Sequence, residues 1–147
     1  MKIAIGSDHR GFKLKERITK YLISKGHEVS DEGTRSEGSS DYPVYAEKVG
    51  RRVAAGLSDK GVLVCGSGMG MCMAANKIKG VRSSLARNPD DARITVMHND
   101  ANVICLGSDG LPGEYAEKII ESFITAVFEG GRHARRVSQI GDLENKP

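Results

Sequence analysis

The stretch Val62-Leu-Val-Cys-Gly-Ser-Gly-Met-Gly70 joins a short apolar run to three closely spaced glycines. The run Val62–Val64 is too short and too β-branched for a helix, and it predicts a buried parallel strand. The glycines predict a tight turn, and Met71–Lys77 predicts the helix that follows it. A strand, glycine turn and helix in this order direct unpaired backbone N–H groups towards a negative charge in front of the turn.

Cys65 stands at the start of this turn, where backbone N–H groups and a helix dipole favour a thiolate. A dinucleotide-binding turn would need a further glycine where Met71 or Met73 stands. A core thiol is the commoner role for a cysteine between apolar residues. The three glycines that follow Cys65 favour a reactive thiol over both alternatives.

Length and composition exclude several classes of protein. The 147 residues fit one domain, and a net charge of +3 with 28% charged residues describes a mixed surface that does not require nucleic acid. Aromatic residues make up 5% of the chain and Trp is absent, which disfavours a stacking platform for single strands. The sequence has no apolar run of membrane-spanning length and no signal-peptide pattern before its first predicted strand. We therefore expect a cytoplasmic protein with no membrane partner.

The three cysteines are odd in number and lack C-x-x-C spacing, which argues against both a zinc site and a disulfide framework. Cys72 and Cys105 lie in apolar stretches and are expected to be core residues. No HxH, HExxH or carboxylate cluster is present in the sequence, so we predict no metal site.

Apolar periodicity and turn signals divide the rest of the chain. Four further strands are predicted, at residues 2–5, 27–31, 80–86 and 102–106. Helices are predicted over Phe12–Ser24, from Asp41 to about Leu57, from Asn88 to about His98, from Pro112 to Gly130-Gly131, and over a last segment that begins at Arg132. Residues 142–147 are predicted to be a frayed tail. Strands that alternate with helices indicate an α/β domain with a doubly wound, parallel five-stranded sheet.

Ligands of such sheets bind beyond the carboxyl ends of the strands. Near the first, third and fifth strands the sequence offers Asp8, His9, Cys65 and the segment that begins at His98, and a basic cluster follows at residues 132–136. Each of these residues also has an ordinary structural explanation. An acid can cap a turn, His98 can interact favourably with the dipole at a helix C-terminus, and arginines can form a solvated helix face. Together, an acid–base pair, a thiolate and an arginine pair fit a small anionic carbonyl substrate.

Six motifs of the chain resemble those of the type B ribose-5-phosphate isomerases, a family that includes the galactose-6-phosphate isomerase subunits. The motifs are Gly6-Ser-Asp-His9, Asp41-Tyr-Pro43, Cys65-Gly-Ser-Gly-x-Gly70, Ala74-Ala-Asn-Lys77, His98-Asn-Asp-Ala-Asn102 and Gly130-Gly-Arg-His133. The resemblance covers nearly the whole chain. It implies a Rossmann-like fold and aldose–ketose exchange on a sugar phosphate in the pentose phosphate pathway, without metal or cofactor.

The same resemblance implies a homodimer, or a dimer of dimers, with sites shared between subunits and a C-terminal helix that reaches the partner. The galactose-6-phosphate enzymes divide the cysteine loop and the C-terminal Arg-His motif between two different subunits. This chain carries both motifs, which favours a ribose-type homo-oligomer.

The resemblance also implies residue roles. Cys65 would be the base that moves a proton between C2 and C1, Ser67 would help to hold a cis-enediolate, and His98 with Asp8 would open the furanose ring. The implied substrate-binding residues are His9, Tyr42, Gly66, Gly68, Gly70, Asn99, Arg132 and Arg136.

Two positions depart from the family pattern. Relatives commonly carry an arginine where this chain has Asp109, and a small residue where it has Arg10. The charge has moved from one position to the other, or the substrate differs. The expected substrate is ribose 5-phosphate, and the alternatives are a four- or six-carbon aldose phosphate or a non-catalytic sugar-phosphate-binding protein.

Overall fold

The computed structural model describes residues 1–146, which form five strands and six helices. Short apolar, β-branched runs make the strands, and all of them pair in parallel in the order β2-β1-β3-β5-β4. Their bounds are β1 (Lys2–Ser7), β2 (Glu28–Asp31), β3 (Lys60–Cys65), β4 (Ser83–Leu85) and β5 (Val103–Gly107). The predicted doubly wound, five-stranded parallel sheet in a single α/β domain is therefore confirmed.

The helices connect these strands and cover both faces of the sheet. Their bounds are α1 (Phe12–Ser24), α2 (Tyr42–Ala54), α3 (Met69–Ala75), α4 (Pro89–Asn99), α5 (Gly113–Thr125) and α6 (Arg132–Leu143). Local signals account for several boundaries: Gly26 follows α1 with φ +83°, and the side chain of Asn88 caps α4 by accepting the N–H of Asp91 at 2.8 Å.

The alternation of side chains along each strand separates the core into two layers. One layer packs alternate strand residues such as Ile5, Val62 and Ile104 against α1, α4 and α5. The other layer packs the remaining residues of the same strands, including Cys65 and Cys105, against α2 and α3. Cys65 and Cys105 therefore point to the same face of the sheet.

The two edges of the parallel sheet carry different segments. Cys65 and Gly107 pair at the carboxyl ends of β3 and β5, and Gly61 and Val103 pair near the amino ends. Because α4 returns antiparallel to the strands, the segment after it reaches the amino edge, where the carbonyl of Asn102 accepts the N–H of Gly61 at 2.8 Å. This topology decides which of the predicted site residues can meet within one chain.

The C-terminal third differs in detail from the sequence prediction. Helix α5 ends at Thr125 instead of continuing through Val127, whose side chain is 77% exposed. Helix α6 continues to Leu143, so the predicted tail at 142–147 begins inside a helix, and Pro147 lies outside the described residues. Beyond α6, the carboxylate of Glu144 accepts the N–H of Gly80 at 2.9 Å, which holds the segment against its own chain.

Within residues 1–146, no helix combines the length and apolarity needed to cross a membrane.

Candidate active site

The turn after β3 places a backbone donor directly on the predicted base. The N–H of Gly68 donates to the Sγ of Cys65 at 3.2 Å. Gly68 has φ +77°, and a Cβ at this position would lie 2.8 Å from the carbonyl carbon of Leu106. Only glycine fits this backbone without strain, so the glycine after Ser67 is what allows an amide to face the sulfur.

The loop after β5 holds the same turn from behind. The carbonyl of Cys65 accepts the N–H of Ser108 at 2.8 Å, and the carbonyl of Gly66 accepts the N–H of Asp109 at 3.0 Å. Helix α3 contains only seven residues, and the donor that reaches the Cys65 sulfur is the backbone amide of Gly68. The hydroxyl of Ser67 accepts the N–H of Met69 at 3.3 Å and is exposed at the front of the turn.

Asp8 and His9 lie beside this turn, at the end of β1. The N–H of Asp8 donates to the carbonyl of Val64 at 3.3 Å, and its Oδ1 accepts the N–H groups of Arg10 and Gly11, both at 3.0 Å. Asp8 is buried and does cap the turn, as the structural alternative proposed. The Nδ1 of His9 accepts the N–H of Ser40 at 3.2 Å, so the proton of its neutral ring is on Nε2.

Tyr42 closes the other side of the turn. A Cβ at Gly70 would lie 2.6 Å from the Cζ of the Tyr42 ring. The absence of a side chain at Gly70 therefore lets the phenol lie against the start of α3. The structure thus brings together one group of the predicted residues, here called the thiol half-site: Asp8, His9, Tyr42 and Cys65–Gly70.

The two departures from the family pattern form a pair. The guanidinium of Arg10 makes an ion pair with the carboxylate of Asp109, and it covers Gly66, where a Cβ would lie 2.7 Å from the Arg10 Cζ. Both side chains are more than half exposed, so we attribute little stability to the pair. The pair places a neutralised guanidinium over Gly66, the residue that follows Cys65. A cavity of about 350 Å³ adjoins the same place and is lined by Gly66, Ser67, Gly107 and Asp109 among others.

The remaining predicted residues lie at the opposite edge of the sheet in the same chain. They form a second group, here called the arginine half-site: His98, Asn99, Arg132 and Arg136. The expectation that His98 joins the strand ends near Asp8 is therefore wrong for a single chain. Helix α4 ends at the amino edge, and the four residue steps from Gly61 to Cys65 alone separate the two edges by about 13 Å.

His98 is embedded in a small cluster at the end of α4. Its ring stacks on that of His133, with centroids 4.3 Å apart and planes 5° from parallel. The Oε2 of Glu129 lies 3.8 Å from the Nε2 of His98 and 3.5 Å from the Nε2 of His133. Burial, followed by the charges of His98 and Arg132, lowers the pKa of His133. The N–H of Glu129 donates to the carbonyl of Met97 at 3.0 Å, which fixes the segment that carries the carboxylate.

Sequence reasoning missed this cluster. One ligand atom from each of His98, Glu129 and His133 lies within 4.8 Å of the others, a separation that could hold a metal ion. The parallel ring planes oppose that use, because the lone pair of each imidazole lies in its own plane and the two cannot converge on one ion unless a ring rotates. Glu129 stands alone before two glycines in the sequence, without a motif that would have indicated its role.

The fold and the thiol half-site define an α/β protein with a small-molecule site at the carboxyl ends of a parallel sheet. The profile of the family described as Ribose/Galactose Isomerase matches residues 3–140. The chain is 43% identical to the ribose-5-phosphate isomerase B of Escherichia coli over 145 residues, which cover 99% of this chain and 97% of that protein. The chain belongs to the ribose/galactose isomerase family.

Solved structures agree with this assignment. The ribose-5-phosphate isomerase B of Clostridium thermocellum superposes with a TM-score of 0.97 at 43% identity, over 99% of this chain and 98% of that one. The structure of the Mycoplasma genitalium enzyme with bound ribulose-5-phosphate gives a TM-score of 0.95 at 40% identity, over 99% and 97% of the two chains. Both relatives are named as isomerases and are matched over nearly their whole length, and this chain is likewise an isomerase.

Proposed function

We propose that this protein interconverts ribose 5-phosphate and ribulose 5-phosphate through a cis-enediolate, with Cys65 as the base. The observation that carries the proposal is the hydrogen bond from the N–H of Gly68 to the Sγ of Cys65. An amide at this place stabilises a thiolate at the carboxyl end of a parallel strand, where small ligands of such sheets bind. The E. coli relative, 43% identical, is named for the same activity.

The chemistry requires one mobile proton. The Cys65 thiolate takes the proton on C2 of the open-chain aldehyde, and the electrons form the C1–C2 double bond of an enediolate. A proton moves from the oxygen on C2 to the oxygen on C1, and the thiol returns its proton to C1, which leaves the carbonyl on C2. Ser67 and the backbone amides of the turn are the donors that we assign to the enediolate charge. No electrons leave the sugar, so the step needs no oxidant.

We further propose that each site combines the thiol half-site of one chain with the arginine half-site of another. The support is geometric: the two groups lie at opposite edges of the sheet in one chain, so they cannot act on the same five-carbon sugar. His98 then opens the ring, Asn99 holds a sugar hydroxyl, and Arg132 and Arg136 hold the phosphate together with His9. Arg132 and Arg136 are four residues apart on α6 and therefore share one side of the helix.

Uncovered apolar side chains lie next to both groups and support a dimer. In the thiol half-site and beside it, the exposed fractions of Tyr42, Val44, Met69 and Met73 are between 39% and 65%. Beside the arginine half-site, Val127, Ile140 and Leu143 are between 43% and 77% exposed. Apolar patches of this kind mark protein interfaces. If a dimer buries both patches, the thiol half-site of one chain comes close to the arginine half-site of the other. In one chain, α6 already packs on α4 and on the loop at Gly80.

The second candidate is an isomerase of another aldose phosphate. The observation behind it is the Arg10–Asp109 ion pair, which lies beside Gly66 and next to the proposed base. Aldose phosphates of four or six carbons are the chemical class concerned.

A substrate panel in heavy water tests the proposal. We expect ketose formation from ribose 5-phosphate to exceed that from four- and six-carbon aldose phosphates, with solvent deuterium incorporated at C1 of the product. Product without deuterium would mean either that the thiol returns the C2 proton before it exchanges with solvent or that a hydride moves, and unchanged turnover by Cys65→Ala would then remove Cys65 from the mechanism. A different preferred sugar would correct the substrate alone, and binding without turnover of any sugar would leave a sugar-phosphate-binding protein.

A further inference from the structure

A second group of thiols lies behind the thiol half-site and takes no part in the proposed isomerisation. Cys72 is half-buried on α3, and Cys105 is fully buried in the middle of β5. The hydroxyl of Ser83 lies between them, with its Oγ 3.8 Å from the Sγ of Cys72 and 3.2 Å from the Sγ of Cys105. In the register of β4 on β5, Ser83 pairs with Val103, two residues before Cys105.

The sulfur of Cys72 has two side-chain donors and one acceptor as polar neighbours, and its thiol donates to the carbonyl of Ser83 at 3.5 Å. The side-chain amide of Asn76 lies 3.7 Å from its Sγ, in addition to the Ser83 hydroxyl. Hydrogen bonding from the Cys105 thiol lowers the pKa of Cys72 to about 6, against the opposing effect of burial. Of the two thiols, Cys72 is therefore the one that ionises more readily.

The pKa of Cys105 is shifted in the opposite direction. Burial, and then its hydrogen bond to Cys72, raise the pKa of Cys105. Its thiol keeps its proton, and it has no exposed surface through which an oxidant could reach it directly. A half-buried thiol of lowered pKa beside a fully buried thiol is the arrangement found in cysteines that react with peroxide and are then resolved as disulfides.

We propose that Cys72 and Cys105 form a peroxide-reactive dithiol, a modification site separate from the isomerase chemistry. The Cys72 thiolate attacks one oxygen of hydrogen peroxide, the O–O bond breaks, and Cys72 sulfenic acid and hydroxide form. The Cys105 sulfur then attacks the Cys72 sulfur, the S–O bond breaks and water leaves with the Cys105 proton. One peroxide is reduced, two sulfurs are oxidised, and a disulfide joins α3 to β5.

The position of this disulfide follows from the fold. Helix α3 begins directly after Gly68, and β5 ends at Gly107, whose neighbours hold the Cys65 turn. The cross-link would therefore join the two elements that support the turn. It requires the sulfurs to approach to about 2.05 Å, which displaces the Ser83 hydroxyl from its place between them.

The experiment uses the full chain with Cys65→Ala, which leaves only the two thiols in question. After hydrogen peroxide we expect both to become unreactive towards a thiol reagent in denaturant, with loss of two hydrogen atoms in intact mass and a linked peptide pair containing Cys72 and Cys105. Dithiothreitol should restore both thiols. Peptide mapping of oxidised wild-type protein gives the same linked pair if Cys65→Ala folds poorly.

Matched variants separate this result from ordinary oxidation. In Cys65→Ala with Cys105→Ser, Cys72 should accumulate as a sulfenic acid that dimedone traps, and in Cys65→Ala with Cys72→Ser, Cys105 should stay reduced. Three outcomes would overturn the proposal: oxidation of Cys72 to a sulfinic acid while Cys105 remains a thiol in Cys65→Ala, a Cys72–Cys72 link between chains, or two thiols that both resist peroxide.

Discussion

The imidazole of His133 stacks on that of His98 with their centroids 4.3 Å apart, and the carboxylate of Glu129 faces the Nε2 atoms of both rings. His98 is thus oriented within its own chain before any partner contributes. A ring-opening acid and base benefits from such fixed orientation, because the geometry is established before the substrate binds. Within the arginine half-site, His98 is therefore held by the ring of His133 and by the carboxylate of Glu129.

His98→Asn should separate ring opening from proton transfer. We expect turnover of ribose 5-phosphate, which is mostly cyclic, to fall by about 10²–10⁴-fold, the usual contribution of one acid–base group. A four-carbon aldose phosphate cannot form a furanose, so its turnover should fall much less. Equal losses for both substrates in a coupled ketose assay would place His98 in the enediolate step instead.

The lowered pKa of His133 predicts how stability depends on pH. Its ordinary value is 6.5, and the folded value is lower, so below about pH 6.5 the unfolded chain binds more protons than the folded one. The free energy of unfolding should therefore decline as the pH falls through and below 6.5. Urea titrations at several pH values should show a shallower decline for His133→Asn, and parallel slopes for variant and wild type would contradict the assignment.

Cys65→Ala should lower isomerase turnover by about 10²–10⁴-fold, because it removes the group that moves the proton. Cys72→Ala is the matched control and should retain activity, since Cys72 faces Ser83 and not the front of the turn. Iodoacetamide should label Cys65 faster than the fully buried Cys105, and substrate should slow that labelling. Near-normal turnover by Cys65→Ala would place the base elsewhere.

Gly68→Ala should destabilise the fold more than a comparable glycine substitution. Gly68 has φ +77° and Gly56 has φ +69°, so alanine costs about 1–2 kcal/mol of backbone strain at either position. At Gly68 the new Cβ would also overlap Leu85 and the backbone of Leu106, whereas at Gly56 it meets no atom within 4 Å among the described residues. Thermal denaturation should give the larger loss for Gly68→Ala, and equal losses would show that the turn can relax.

The bounds of the helices and strands were predicted well where the local sequence signals were strong. The helix Phe12–Ser24 has the predicted bounds, because apolar spacing and Gly26 agree on where it ends. The end of α5 was missed, because Ala126 adopts an extended conformation (ψ 147°) and the chain turns so that Glu129 can bond to Met97. That bond is tertiary and has no local pattern in the sequence.

The candidate site divides in the same way. The glycine turn around Cys65 could be predicted, since three glycines after a strand have few other uses. The separation of His98 from Cys65 could not, because it depends on the strand order and on the edge at which α4 ends. The pairing of Arg10 with Asp109 joins residues 99 positions apart, and no local pattern links them.

The central claim is that each working site takes Cys65 from one chain and Arg132 from another, and mixed dimers test it. Cys65→Ala and Arg132→Ala should each be nearly inactive alone. When a 1:1 mixture is unfolded and refolded, random pairing makes about half of the dimers mixed. Each mixed dimer has one intact site and one doubly altered site. About a quarter of wild-type activity should therefore return.

The control is a mixture of Arg132→Ala with His98→Asn, two changes in the same half-site, which should recover nothing because every site retains one of them. Recovery of about a quarter of the activity by the first mixture, and none by the second, is the predicted result. If the Cys65→Ala and Arg132→Ala mixture stays inactive while wild-type protein treated in the same way refolds and regains activity, base and phosphate clamp belong to the same chain and the shared site is contradicted.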